Sequence, residues 1–498
     1  MGDTWSHGPP SDPLKVSMFR ALTRARRLCL DENRCKLSDH RIYNFSRLLL
    51  KNAEHDWGRS GGAMGSDQAT GWTNPEFHAK LAVETTPASG WNSTNDCNPK
   101  TNSGPCHLQD MIDSYVEERN WGIYYVHQAL DDHPLRAEVS DALDDLKPRR
   151  PELSSGGGWQ RVTDSSKQFD CGRWSIGFNA STGSINHLVD SDGHRTWADS
   201  GHQLAEFTYQ TYTAYDHNHV FMNEYMSDAS YNPVEGARLN GDFGKPGLES
   251  CPYCEHLDLR ASLLGLWTAT ASNCSSFVTG PCHRFALHLG MSDHAHTQYG
   301  APHELWMHVE VPQSGARFVV ALDLFDKTPT RIVESSSVRF VPAPLANESA
   351  KLSMMVSKLG SWVDPADVAL NGSRHLHGLD DTGGVGFFAA DKTLAARIIT
   401  VDGTTSCVGR YPTPYPTPLD EEFDNAAGFA ANIHNNGTCN PSPLAQFSRK
   451  QLLPAVWNTC YILFYPYLQE DSDLRQRYLL DLDAASARSP LPWQPQAH

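Results

Sequence analysis

At 498 residues the chain exceeds what one hydrophobic core usually organises, so at least two cores are expected. Its 39% hydrophobic and 10% aromatic content, with 13 Trp, belongs to a folded globular protein and excludes a disordered chain. A formal charge of -17 argues against a nucleic-acid or anionic-membrane partner, because either needs clustered Lys and Arg to displace counterions.

The first third reads as helices. In "SDPLKVSMFRALTRARRLCL" Ser11 is the expected N-cap, Pro13 falls early, and Leu14, Met18, Phe19 and Leu22 share a face. The basic cluster Arg20 to Arg27 within it reads as a solvated helix face, with a binding patch as the alternative. "SDHRIYNFSRLLLKNA" repeats the Ser-Asp start and places Ile42, Phe45 and Leu49 together, with Leu48 and Leu50 beside them in an apolar run that stops at Glu54-His55-Asp56. "HLQDMIDSYVEERNWGIYYVHQALDD" spaces Met111, Ile112, Tyr115, Val116, Ile123 and Val126 as one long amphipathic helix.

At "LKPRRPELSSGGG", Leu146 to Gly158, prolines and glycines replace helical periodicity, and afterwards the period changes to two. "RWSIGFNASTGSINHLVD" predicts a strand, a turn through Asn179 to Gly183 and a second strand. "QLAEFTYQTYTAY", "ELWMHVEVPQSGARFVVALDLFDK", "VRFVPAP", "LAARIITVDG" and "CYILFYPYL" continue the alternation. The expected fold is α+β and mainly β: a helical segment over residues 1–150, a linker at 151–158, and a large antiparallel β-sandwich over 159–498.

The twelve cysteines fall largely in close pairs: Cys29 with Cys35, Cys97 with Cys106, Cys251 with Cys254, and Cys274 with Cys282. Disulfide-clasped loops are the expected reading, with half of a zinc ribbon or a redox site as the alternative for "CPYCEH". Asn-x-Ser/Thr sequons begin at Asn44, Asn92, Asn179, Asn273, Asn347, Asn371 and Asn436. Together with the cysteines they point to a secreted or vacuolar and lysosomal route, although the first twenty residues lack the basic start and apolar core of a signal peptide. The longest apolar stretch, from Leu452, is interrupted by Pro454, Asn458 and Pro466, so no membrane-spanning helix is expected.

Four segments concentrate polar groups beside aromatics: "GDTWSHG" (Gly2 to Gly8), "EHDWG" (Glu54 to Gly58), "NGSRHLHG" (Asn371 to Gly378) and "NIHNNG" (Asn432 to Gly437). An aromatic face for C–H bonds with hydrogen-bonding groups around it is what a sugar requires. Asn371, Arg374, His375, His377, His434 and Asn435 are the candidate carbohydrate-binding residues of the last two segments. His375 and His377 flank Leu376 and would share a strand face, as a metal pair or as a plain polar face. No Gly-x-Ser-x-Gly elbow, phosphate-binding loop or His-Glu-x-x-His is present.

In order along the chain, "GDTWSHGPPSDPLK", "LLLKNAEHDWG", "ALNGSRHLHG", "GFAANIHNN" and "WNTCYILFYPYLQEDSDLRQRY" resemble landmarks of a glycoside-hydrolase-like family related to the class II α-mannosidases. That resemblance covers nearly the whole chain. It implies a zinc-dependent retaining glycosidase plan in which a barrel, a helical bundle and a large β-sandwich build the sugar pocket. Trp5 then resembles the sugar-stacking aromatic, His55 a zinc ligand, and Asp56 the clamp on substrate hydroxyls. The plainer alternative for His55 is a helix C-terminus where the ring meets carbonyl dipoles. "EHDWG" and "NGSRHLHG" are expected to face each other across one cleft, Arg374 or His375 opposite Asp56.

The mannosidase plan takes two further zinc ligands from a His-x-Asp-x-Gly-Trp strand and its nucleophilic Asp from the barrel, and no counterpart of these occurs here. The resemblance therefore implies the C-terminal portion of a glycoside hydrolase acting on O-glycosidic bonds. Its partner would be a missing N-terminal barrel segment, and zinc would be weak or absent in this chain by itself. The alternative is a non-catalytic secreted protein that binds carbohydrate.

Overall fold

The computed structural model describes residues 12–53, 71–84, 116–154, 158–214, 248–343, 353–364, 376–389, 392–403, 405–408, 456–462 and 472–488. Within them the chain opens with α1 (Pro13–Asp31) and α2 (His40–Leu49), followed by α3 (Asn74–Glu84). The described part of α4 spans residues 116–128, and α5 follows as Leu135–Asp144. α1 starts where Asp12, not Ser11, accepts the Lys15 N–H at 3.1 Å; Pro13 at the first helical position has no N–H to leave unpaired. Ser11 lies outside the described residues.

α2 buries the stripe expected of it, Ile42, Phe45 and Leu49. Leu50, which ends the apolar run, is not part of that buried stripe: the chain tightens there into a 3-10 turn, Leu50–Ala53, and leaves Leu50 72% exposed. α4 departs from the expectation. Ile123 and Val126 are buried, but Val116 is 42% exposed, because a π-turn at Asn120–Tyr124 breaks the helical period. The turn receives Asn52, whose amide donates to the Gly122 carbonyl; a Cβ at Gly122 would collide with that side chain. These helices share a core with α1 and α5, built on Ala21, Leu22, Phe45, Ile123, Val126, Leu135 and Val139.

Twenty strands follow among the described residues. They are β1 (Gln160–Arg161), β2 (Phe169–Asp170), β3 (Trp174–Phe178), β4 (Ile185–Asp190), β5 (Arg195–Ala198), β6 (Leu204–Thr211), β7 (Leu257–Arg260), β8 (Ser262–Ala271), β9 (Cys282–Gly290) and β10 (Glu304–Pro312). Next come β11 (Arg317–Phe325), β12 (Glu334–Phe340), β13 (Ser353–Lys358), β14 (Ser361–Val363), β15 (Leu376–Gly378), β16 (Val385–Phe388), β17 (Leu394–Thr400), β18 (Thr405–Val408), β19 (Val456–Ile462) and β20 (Leu474–Asp481). Short helices α6 (Asp293–Tyr299) and α7 (Ala484–Arg488) sit beside β9 and after β20.

The strands form two antiparallel sheets. One has the order β1-β8-β9-β10-β11-β20-β17-β16-β13-β14; the other runs β15-β18-β19-β12-β6-β4-β3-β2, with β5 on β4 and β7 on β6. The expected hairpin of β3 and β4 is present and turns through Asn179 and Gly183. The sheets close on one core in which alternate residues such as Leu287, Met307, Val309, Phe318 and Val320 meet Trp174, Ile176, Leu188 and Phe207. Trp174 meets Phe318 edge to face across the gap, 4.7 Å between ring centres. The protein is thus a mainly-β chain with helices preceding a large antiparallel sandwich.

The arginine cluster of α1 joins the two parts, which corrects its reading as a solvated face. Arg20 and Arg24 are 5% and 2% exposed. Arg20 donates to the carbonyls of Thr400 and Leu379, each at 2.5 Å, and to that of Gly403; Arg24 donates to Val401 at 2.6 Å. Their spacing of one helical turn presents two forked donors to the turn after β17, where orphan carbonyls need them. Burial lowers the Arg24 guanidinium to about 10, with Asp402 and Asp381 opposing that shift.

Candidate functional site

The outer face of the first sheet, away from the sandwich core, gathers polar and aromatic side chains. Along β10, Leu305, Met307 and Val309 point inward and are buried, so Glu304, Trp306, His308 and Glu310 share the other face. Register adds their neighbours: Trp306 stands opposite His288 of β9 and Asp323 of β11, His308 opposite Ala286 and Ala321, and Glu310 opposite Arg284 and Val319. On the far side Asp323 pairs with Arg475 and Ala321 with Arg477 of β20.

A cleft of about 240 Å³ opens on this face under α5 and the segment after it. Asp141, Ala142 and Asp145 of α5, with Arg149, Arg150 and Pro151, form one wall; Ser275, Ser276 and Phe277 form another. His308, Glu310, Val319, Ala321, Asp323, Arg284, Arg475 and Arg477 are its floor. Asp323 is wholly buried. His308 Nε2 stands 3.3 Å from one of its oxygens and Arg475 Nε 3.7 Å from the other. Neither contact meets hydrogen-bond geometry, and neither oxygen has a hydrogen-bond donor among the described residues. Glu310 accepts from the Ser275 N–H at 3.1 Å and from its hydroxyl.

Beside the cleft lies an aromatic strip. His288 stacks on Trp306 at 4.6 Å with 11° between the planes, Trp267 packs at 5.6 Å from Trp306, and Arg284 lies over Trp159. Glu304 ties the strip to the wall, accepting from Trp306 Nε1 at 2.8 Å and from Arg150 Nε at 2.7 Å, while Arg150 also covers Phe325. Burial works against ionisation of Glu304. The Trp306 and Arg150 hydrogen bonds outweigh it and hold the carboxyl below its ordinary value. Acceptors (Asp323, Glu310), donors (Arg284, Arg475, the serines) and apolar surface (Phe277, Val319) thus converge on one small volume.

The residues singled out in the sequence fall elsewhere. Trp5, His55, Asp56, Asn371, Arg374, His375, His434 and Asn435 lie outside the described residues, as does the expected approach of "EHDWG" to "NGSRHLHG". Of the set, His377 has a described backbone, in β15 opposite Ser406. Cys97 and Cys106 also lie outside, whereas Cys29–Cys35, Cys251–Cys254 and Cys274–Cys282 are disulfides. "CPYCEH" is therefore a clasped turn. Among the described residues no three His, Cys, Asp or Glu side chains form a set that fits zinc. No helix among them is long and apolar enough to cross a membrane.

A helical segment leading into a two-sheet antiparallel sandwich, with a polar cleft on the outer face of one sheet, defines the class of protein. The chain belongs to the family of a domain of unknown function (DUF5054), whose sequence profile matches residues 10–318. No functionally curated protein matches it. It is similar to the solved structure of an α-mannosidase from Enterococcus faecalis V583 at 8% identity and a TM-score of 0.34, covering 66% of this chain and 30% of that one. It is also similar to galactose mutarotase-like proteins from Lactobacillus casei ATCC 334 (7% identity, 65% of this chain and 99% of that one, TM-score 0.30) and Clostridium acetobutylicum (9%, 65% and 97%, TM-score 0.33). The chain thus spans under a third of the mannosidase's length.

Proposed function

We propose that this chain is the sandwich-bearing portion of a glycoside hydrolase of the α-mannosidase-like plan, and that the sandwich binds the carbohydrate. The cleft carries this reading: buried acceptors, arginine donors and an aromatic strip meet in one place, the combination that a polyol with apolar C–H faces requires. The ordered sequence landmarks support the same reading. In this proposal zinc belongs to the complete enzyme, with His55 among its ligands, and the chain follows a secretory route, for which the three disulfides speak.

The sequence holds no counterpart of the nucleophilic Asp, so binding without turnover is expected of residues 1–498 alone. The test is to present this chain with immobilised oligosaccharides, including α-linked manno-oligosaccharides, and to assay aryl α-mannosides with added zinc. Saturable binding of an oligosaccharide without hydrolysis is the expected result. Failure to bind any of them removes the carbohydrate reading. Turnover lost in His55→Ala would show a complete site within the chain and end its reading as part of an enzyme. A non-catalytic carbohydrate-binding protein is the second reading, favoured by the same cleft.

A further inference from the structure

Among the described residues three aspartates are wholly buried: Asp323, Asp402 and Asp481. Two are answered in full. Arg477 donates to Asp402, and Arg317 and Arg397 donate to Asp481 at 2.6, 3.1 and 2.8 Å. Asp323 has no such donor, and it forms the floor of the cleft. A carboxylate sequestered without hydrogen bonds is costly, and proteins keep such groups where something else supplies the donors. His308 Nε2 at 3.3 Å and Arg475 Nε at 3.7 Å flank its two oxygens without hydrogen-bonding to them.

Resting on the carbohydrate reading, we propose that Asp323 is the recognition group of the cleft and takes one neutral sugar ring, accepting hydrogen bonds from two adjacent hydroxyls. Three observations set that class. The cavity of about 240 Å³ lies below the roughly 300–1,000 Å³ usual for drug-sized ligands, so it holds a single ring and no chain of rings. Both carboxylate oxygens lack a donor among the described residues, and a pair of vicinal hydroxyls brings two O–H groups at the spacing of two carboxylate oxygens. Five arginines line the cleft with four carboxylates, so the lining has no excess of acid that would select a cationic amino sugar over a neutral one. Phe277 and Val319 supply the apolar contact for the ring's C–H bonds.

The test titrates the intact chain with D-mannose, D-galactose, D-glucose and, as a ring bearing one hydroxyl, cyclohexanol, using calorimetry or saturation-transfer NMR. At least one hexose is expected to saturate and cyclohexanol to fail. Asp323→Asn, which keeps one acceptor oxygen and replaces the other by a donor, is expected to weaken the hexose at least about tenfold. The melting temperature of Asp323→Asn is measured alongside, so that a loss of binding is read only from folded protein. Ala321→Leu, which fills the cleft and leaves Asp323 in place, should abolish binding, and it decides the matter if Asp323→Asn fails to fold. Undiminished hexose binding by either folded variant overturns the proposal. Oligosaccharide binding without any hexose binding also overturns it while leaving the carbohydrate reading intact, whereas no binding of either removes both.

Discussion

Arg477 gives Asp402 three hydrogen bonds of 2.9 Å each, from its backbone N–H, its Nε and its Nη2. Its remaining Nη1 donates to Asp145 at the end of α5, and Asp402 also stands 3.7 Å from Arg24 of α1. One buried carboxylate is therefore shared between the helical segment and the sandwich. Asp402→Asn is expected to cost about 3–5 kcal/mol, because it leaves guanidinium groups buried without that counter-charge. Urea unfolding followed by tryptophan fluorescence measures the loss; a change under about 1 kcal/mol would show that the network does not bind the two parts together.

The same carboxylate sets an acid limit. Burial works to raise Asp402, but Arg477 outweighs it, and the carboxyl titrates below its ordinary 3.8 in the folded protein. A depressed folded-state value gives stability that is present above 3.8 and lost as pH falls below it. Wild type and Asp402→Asn are therefore expected to differ most at neutral pH and to converge on acidification below 3.8. Parallel stability curves down to pH 2 would contradict this.

Gly183, in the turn between β3 and β4, holds φ at +75°, and a Cβ there would stand 2.6 Å from Leu289 Cδ2 of the opposite sheet. Gly183→Ala combines left-handed strain with overpacking and is expected to lower stability by about 1–3 kcal/mol. Thermal unfolding reads it directly. The neighbouring Ser181→Ala, whose side chain is exposed, serves as control.

The buried thiol of Cys171 is pushed up to about 12 by burial, reinforced by Asp170. It is expected to resist iodoacetamide in the native protein at pH 8 and to react once the chain is unfolded, as mass spectrometry can count. Replacing Cys29 and Cys35 together by Ser should cost about 2 kcal/mol, since their loop is short. Reaction of these two cysteines with iodoacetamide in unreduced protein would show that the pair is open.

Much of the fold was legible because it is local. The β3–β4 hairpin declares itself by alternation around a Gly-containing turn, and α2 by Ile42, Phe45 and Leu49 at helical spacing. The role of Arg20 and Arg24 was not legible, because their acceptors lie more than 350 residues further along the chain and charge spacing says nothing of what packs opposite. The cleft left a faint signal: Glu304, Trp306, His308 and Glu310 alternate with apolar residues in "ELWMHVEV". Any half-solvated strand reads that way. Asp323 gave less still, one acid within the apolar run "RFVVALDLF", and only strand order places it beside His308 and Arg475.

That strand order has a consequence for how the protein is made. β8 to β11 are contiguous hairpins that can pair as they leave the ribosome, but β11 finds its other neighbour in β20, which is synthesised after β12 to β19. Until β20 emerges, the edges of β11 and β17 stay open to any strand in the cell, and Asp402 waits for Arg477. Production of this protein should therefore depend on chaperone supply and slow translation, and a chain stopped before β20 would lose the cleft floor and the seam to α5 in one stroke.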